Sequence, residues 1–287
     1  MKKIIFITFL MFFCSTVLAT DFSSLFEAAL QNKLDISQEQ MSKGGEFSWV
    51  FVAGFLNEGS MGRYFGDNQA RLKTYVSAEE IYILKPSSSN SIETNSELLL
   101  KQLQEIYKKH HKKIVVITHS KGSPEVLKML ANEPQATSQM IAAVLTIQAA
   151  FGSQVADLFE SNPFGGAGLK SLTTQESDRI FSAGVIEVLA KHAVPIYFLR
   201  TSQKIKGEGN SVAFGILGLA KYLSSYGEND GLVTVERQEL QGVGTDLGIM
   251  DADHVDTVLD PPSSNTPSSF RHALMDAIFV YLMNHDF

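Results

Sequence analysis

The sequence predicts an α/β architecture, a mostly parallel central sheet with helices on both faces, on three observations. First, short β-branched runs alternate with segments of helical periodicity along the chain, and a helix between successive strands forces parallel pairing with right-handed crossovers. Second, Ile114-Val-Val-Ile117 stops abruptly at Thr118-His-Ser-Lys-Gly122, and a helix follows from Pro124 to Leu130. Third, the 287 residues suit one large α/β domain, or a domain with a cap.

The elements follow in order. Met1-Lys-Lys, an apolar run from Ile4 to Leu18 and small residues at Val17 and Ala19 describe a secretory signal peptide over 1–19, cleaved after Ala19. The run is about fifteen residues, shorter than the roughly 20 that span a bilayer as a helix. The competing reading is an uncleaved anchor. The α/β domain then occupies 20–287, and the protein is exported, to the periplasm or beyond it. Cys14, the single cysteine, lies inside that segment, and Phe12-Phe13 do not suit a lipoprotein signal. The mature chain therefore holds no disulfide and no thiolate site, so its core alone must stabilise it.

Phe47 to Ala53 is a strand ending in Gly54, and Ile81 to Leu84 is another, closed by Lys85-Pro86 and a Ser-rich loop. Glu97 to His111 carries Leu98, Leu99, Leu103, Ile106 and Tyr107 at helical spacing, with lysines opposite. Ala142 to Ile147, Val194 to Leu199 and Leu232 to Val235 supply further strands. Two segments break the alternation. Residues 153–184 are glycine-rich and apolar in patches, a lid-like insertion; Lys206 to Tyr226 is a second lid candidate, or a helix packed on the sheet. Insertions of this kind sit above the carboxyl ends of strands, where ligands bind.

The net charge is −7, and losing Lys2 and Lys3 makes it more negative. With no basic run, the chain lacks the electrostatic footprint of a nucleic-acid binder. Neutral or amphiphilic small molecules are the expected partners, and no span crosses a membrane in the mature chain.

Ser-x-Gly occurs at Ser42, Ser60, Ser120, Ser182 and Ser225, but only Ser120 follows a β-branched run and precedes a helix. A sharp strand-to-helix turn lifts a serine hydroxyl clear of the sheet, which a nucleophile needs. It also demands small residues two places either side: Gly122 satisfies this, whereas Thr118 stands where glycine is usual. A serine hydroxyl attacks only when a histidine takes its proton and a carboxylate holds that histidine's tautomer, and on such a scaffold the chain order is serine, acid, histidine.

Of the seven histidines, His110 and His111 end a lysine-rich helix and read as solvated. His119 belongs to the turn and must point away from Ser120, His192 precedes a strand, and His272 and His285 lie on or after the last helix. His254, in Asp251-Ala-Asp-His-Val-Asp256, remains. Asp230, in Asn229-Asp-Gly-Leu-Val233, is the first candidate for the acid, with a turn aspartate capping its own backbone as the alternative. Asp157, Asp178 and Asp246 are weaker, and Asp251 and Asp253 are too near His254. Oxyanion donors would be the N–H of Lys121 and that of Phe55, with Leu56 as second choice; Phe55 and Leu56 would also line an acyl pocket.

With these residues assembled, the chain resembles the α/β-hydrolase superfamily, and within it the bacterial secreted triacylglycerol lipases and esterases. Val52-Ala-Gly-Phe-Leu56, Thr118-His-Ser-Lys-Gly122, Asn229-Asp-Gly-Leu-Val233, Asp253-His-Val-Asp256 and Phe151-Gly-Ser-Gln-Val-Ala-Asp157 carry the resemblance, from about residue 46 to 284. Ala150 replaces a usual proline. The resemblance implies carboxylic-ester hydrolysis through an acyl-enzyme, with a small-molecule or lipid ester as substrate, the latter met at a transient lipid interface. It also implies a structural calcium beside the histidine, with Asp256 at the ligand spacing and Asp260 adding an oxygen; no cofactor is required for the chemistry. Competing expectations are a polyester depolymerase or a complex-lipid deacylase on the same triad, and a non-catalytic binding module on the same fold.

Overall fold

A computed structural model describes residues 21–55, 57–60, 63–161, 166–203, 216–260, 264 and 266–287. Residues 1–20, which include the segment read as a signal peptide, lie outside them, as do Leu56 and 204–215. Two helices, α1 (Phe22–Leu30) and α2 (Gln38–Gly44), precede β1 (Ser48–Val52); α3 (Gly66–Leu72) then leads to β2 (Ile81–Leu84). Next come α4 (Ile92–His110), β3 (Ile114–His119), α5 (Gly122–Asn132), α6 (Pro134–Met140) and β4 (Ile141–Ile147). Four short helices follow, α7 (Gln154–Leu158), α8 (Gly166–Lys170), α9 (Thr174–Ile180) and α10 (Ala183–Ala190). The chain closes with β5 (Ile196–Ser202), α11 (Ile216–Leu223), β6 (Thr245–Asp251) and α12 (Ser268–Met283).

The strands form one sheet in the order β2-β1-β3-β4-β5-β6, every pair parallel. Strand side chains alternate between two cores, as the period of two requires. Trp49, Phe51, Val115, Ile117 and Leu145 pack with α1, α3 and α12 on one face. Val50, Val52, Val116, Val144 and Phe198 pack with α4 and α5 on the other. Central strands buried on both faces explain the unbroken apolar runs of β3 and β4.

Helix α4 starts five residues before the predicted Glu97 because Ser91 caps it, its hydroxyl accepting the N–H of Thr94 at 3.2 Å. Its C-terminus is less solvated than expected, since His110 meets the Tyr82 hydroxyl at 2.5 Å and pairs with Glu80.

One predicted strand does not form. Leu232 to Val235 is bent around Asp230, whose Oδ1 accepts the N–H groups of Leu232 and Val233 at 3.0 and 2.8 Å, and the chain then enters a 3-10 turn, Val235–Gln238. Those N–H groups are no longer free for a ladder. The sixth strand is β6, which carries Asp246. It lies at the sheet edge with only Leu247 and Met250 buried and holds Gly248 at φ 100°, so it offers no contiguous apolar run to read.

Segment 153–184 contains α7, α8, α9 and the start of α10 above the carboxyl end of the sheet. Helix α8 docks by its backbone: the Gly168 N–H donates to the Ser89 carbonyl at 3.1 Å, and a Cβ there would lie 1.7 Å from the Ser88 carbonyl oxygen. Helix α11 packs beside α7. Among the described residues no helix is long and apolar enough to cross a membrane.

Candidate active site

The site lies where β1, β3, β4 and β5 end. Ser120, directly after β3, adopts φ 51°, a left-handed conformation costly for a residue with a Cβ and held only where the surroundings over-determine it. Its N–H donates to the Ile147 carbonyl, and its own carbonyl accepts from Ser123 N–H at 3.0 Å and Ala150 N–H at 3.3 Å. A proline at 150 would have no such N–H to give. Gly122 is required by close approach, since a Cβ would come 2.8 Å from the Val52 carbonyl oxygen. Thr118 is accommodated by its hydroxyl, 2.7 Å from that of Ser123 in the buried interior.

Three sequence-predicted residues come together. His254 Nε2 lies 2.9 Å from Ser120 Oγ, and His254 Nδ1 lies 2.7 Å from Asp230 Oδ2. Because a carboxylate can only accept, Nδ1 carries the proton and Nε2 is left to accept from the serine. Asp230 is completely buried. Its Oδ1 takes the two turn N–H groups and its Oδ2 takes His254 and Gln238 Nε2, the latter at 3.2 Å. It is therefore both the self-capping turn aspartate and the partner of the histidine. The His254 N–H also donates to the Asp230 carbonyl at 2.9 Å, pinning the two loops together. Asp157, Asp178 and Asp246 have other duties: Asp157 accepts from Thr174, and the other two pair with Arg237 and Arg200.

His119 points away from Ser120, as expected, but it is not idle. The Gly54 N–H donates to the Tyr64 hydroxyl at 2.9 Å, and that hydroxyl donates to His119 Nδ1 at 2.6 Å. His119 Nε2–H then faces the His254 carbonyl at 2.9 Å and Gln148 Oε1 at 3.1 Å. This pattern requires a neutral imidazole. Burial, reinforced by nearby His254, pushes its pKa well below the usual value. Gln148 completes the framework, its amide donating to the Asp253 carbonyl at 2.6 Å while Thr257 donates to its carbonyl oxygen. Sequence reasoning missed Tyr64, Gln148 and Gln238. A polar residue directly after a buried strand was a usable signal for Gln148; Tyr64 had none.

A cavity of about 430 Å³ opens beside Ser120, within the range of small-molecule sites. Its walls include Phe55, Val155, Phe159, Leu172, Leu219 and Val258. Gly54 is demanded here by proximity: a Cβ would sit 2.7 Å from Ser120 Cβ. The Gly54 N–H is held by Tyr64, and Phe55 follows it in the chain at the cavity wall. Among the described residues neither the Phe55 nor the Lys121 N–H binds an acceptor.

The calcium expectation meets a different charge arrangement. Arg271, fully buried, donates to Asp67 Oδ2 at 2.8 Å and lies 3.9 Å from Asp260 Oδ1. Asp260 Oδ1 accepts the Asp67 N–H, and Asp256 accepts from Ser264, Thr266 and the Asp253 N–H. A guanidinium already supplies the positive charge beside Asp67 and Asp260, and the described residues contain no group of three or more metal-ligating side chains. Among the described residues, Asp256 and Asp260 are thus engaged by protein donors.

No family model and no curated protein matches the chain. Solved structures do. A lipase of Bacillus licheniformis in its mature form superposes with TM-score 0.62 at 22% identity, over 83% of this chain and 92% of that one. A metagenomic carboxyl esterase gives 0.66 at 24%, over 88% and 77%. A phospholipase of Legionella pneumophila gives 0.51 at 17%, over 68% and 45%. At such identities the likeness speaks for architecture, and it agrees with the sheet order and the strand–elbow–helix turn: this protein has the α/β-hydrolase fold.

Proposed function

We propose that the protein is an exported serine hydrolase of carboxylic esters that bear an apolar acyl chain. The observation that carries this reading is the hydrogen-bonded chain from Ser120 through His254 to Asp230, set at the mouth of an apolar cavity. Ser120 Oγ attacks the ester carbonyl while His254 Nε2 takes its proton. The carbonyl π electrons move onto oxygen, and the resulting oxyanion accepts from the N–H groups of Phe55 and Lys121. The tetrahedral adduct collapses, the C–O bond to the alcohol breaks, and His254 returns the proton to the departing oxygen. Water, deprotonated by the same Nε2, then attacks the acyl-enzyme and releases the acid and Ser120. Throughout, Asp230 stabilises the imidazolium without being protonated. Structures named lipase, esterase and phospholipase share the fold, which favours ester bonds, and the basic, apolar leader of the sequence favours export.

The test is a p-nitrophenyl ester series from acetate to palmitate, with emulsified triglyceride and polyhydroxyalkanoate alongside. Wild type is expected to turn over the soluble esters, and Ser120→Ala to lose roughly 10⁴-fold or more in kcat with its fold intact. Wild-type turnover in Ser120→Ala would refute the assignment, and failure of a fluorophosphonate to label folded wild type would favour a binding module. The N-terminal mass of the protein recovered from the periplasm or medium tests cleavage after Ala19.

A further inference from the structure

The proposed reaction uses the backbone N–H of Lys121 and leaves its side chain without a role, yet that side chain is 2% exposed. Its ammonium lies 3.0 Å from Glu125 Oε1, itself 1% exposed, and donates to the Asn90 carbonyl at 2.6 Å. Burial pushes the Glu125 carboxyl up to about 7, and among the described residues its Oε2 has no hydrogen-bond partner. A buried ion pair of this kind is weak support for stability, because apolar residues of similar volume commonly fold at least as well. What an ammonium supplies and a methyl group does not is direction: it binds a carbonyl 31 residues away in sequence.

That carbonyl belongs to a turn, residues 87–90, which is gripped from several sides. Asn95 Nδ2 reaches both Glu125 Oε1 at 2.7 Å and the Ser87 carbonyl at 2.9 Å, and Asn90 Nδ2 donates to Asn95 Oδ1 at 3.0 Å. From the other direction Glu58 accepts the Ser88 N–H at 2.7 Å and the Ser88 hydroxyl at 2.5 Å. Partial burial works to raise the Glu58 carboxyl, but these bonds hold it below its usual value. Glu58 sits three residues after Phe55, and Asn57 Nδ2 joins the Gly54 carbonyl to that of Pro86 at 2.9 and 2.7 Å. The two segments that carry the oxyanion N–H groups are thus fastened to one turn.

We propose that the side chain of Lys121 is a positioning residue: with Glu125 and the 87–90 turn it fixes the spacing between the N–H groups of Phe55 and Lys121, so that both converge on one oxyanion. This rests on the ester-hydrolase reading. The experiment compares wild type, Lys121→Met, Ser88→Ala and the double variant, all full-length, for kcat and KM on p-nitrophenyl butyrate. It also measures affinity for a trifluoromethyl ketone, which forms a tetrahedral oxyanion adduct with the serine, and thermal unfolding. Lys121→Met is expected to lose roughly 10- to 100-fold in kcat with KM nearly unchanged. Adduct affinity should fall by the same factor as kcat/KM. Ser88→Ala should lose less, and the double variant less than the product of the two, because both act through one turn.

Folded Lys121→Met with wild-type kcat and adduct affinity overturns the proposal, as does a change in KM alone or strictly multiplicative losses. If Lys121→Met does not fold, undiminished adduct affinity in both Ser88→Ala and Glu58→Gln overturns it. A wild type that takes no fluorophosphonate and turns over no ester overturns the underlying reading with it, whereas an active, labelled wild type beside an indifferent Lys121→Met sinks this inference only.

Discussion

Asp230 shows how much one side chain does here. Four donors surround its buried carboxylate, two from its own turn, one from Gln238 and one from His254. Replacing it with asparagine leaves Oδ1 to hold the turn but presents an amide N–H₂, a donor, to a histidine that needs an acceptor. The imidazole then loses the constraint that keeps its proton on Nδ1. Asp230→Asn is expected to lower kcat by about 10⁴-fold with the fold retained. Steady-state kinetics beside near-UV circular dichroism checks this, and a loss under about tenfold would mean that another acid orients His254.

At the scale of elements, α4 separates folding from chemistry. Its Leu103 is fully buried against the sheet face that also receives α5, the helix leading out of the elbow. Truncation leaves a cavity that the surrounding packing cannot fill. Leu103→Ala is expected to cost about 2–5 kcal/mol in urea unfolding, while kcat per folded molecule stays near wild type, because Leu103 lies about two helical turns beyond Asn95, the α4 residue that holds the 87–90 turn. A kcat that fell in proportion would show that the elbow geometry is softer than its hydrogen bonds suggest. The end of α7 differs: Leu158 and the following Phe159 are 53% and 43% exposed, and Phe159 lines the cavity.

For the molecule as a whole, buried ionisable groups make stability depend on pH in opposing ways. Burial, with Asp256 and Asp230 nearby, pushes the Asp253 carboxyl up from 3.8 to about 7. The stability it contributes is therefore fully present below about pH 3.8 and lost as pH rises through about 7. His119, held neutral, acts the other way and costs stability as pH falls below its ordinary 6.5. Asp253→Asn keeps the oxygen that accepts from Val255 and Asp256 and removes the titration. It is expected to unfold at a higher temperature than wild type at pH 8 and to lose that advantage near pH 4; each kcal/mol amounts to roughly 2–4 °C in a chain of this size. A constant offset across that range would contradict the raised value.

The sequence by itself determined the α/β class, the elbow at Ser120 and the order Ser120, Asp230, His254, because these rest on local signals. A β-branched run that must be buried on both faces, a glycine where backbones touch and an aspartate before Gly231 are each visible within a few residues. Tertiary structure alone decided that Leu232 to Val235 would bend and that β6 would replace it, since one carboxylate took the N–H groups a strand needs and an edge strand requires no apolar run. It alone placed Tyr64 under Gly54, Gln148 under the histidine loop and Arg271 beside Asp260. Such partners are fixed by where the chain returns in space, and hydrogen bonds of that range leave no periodicity in the sequence to be read.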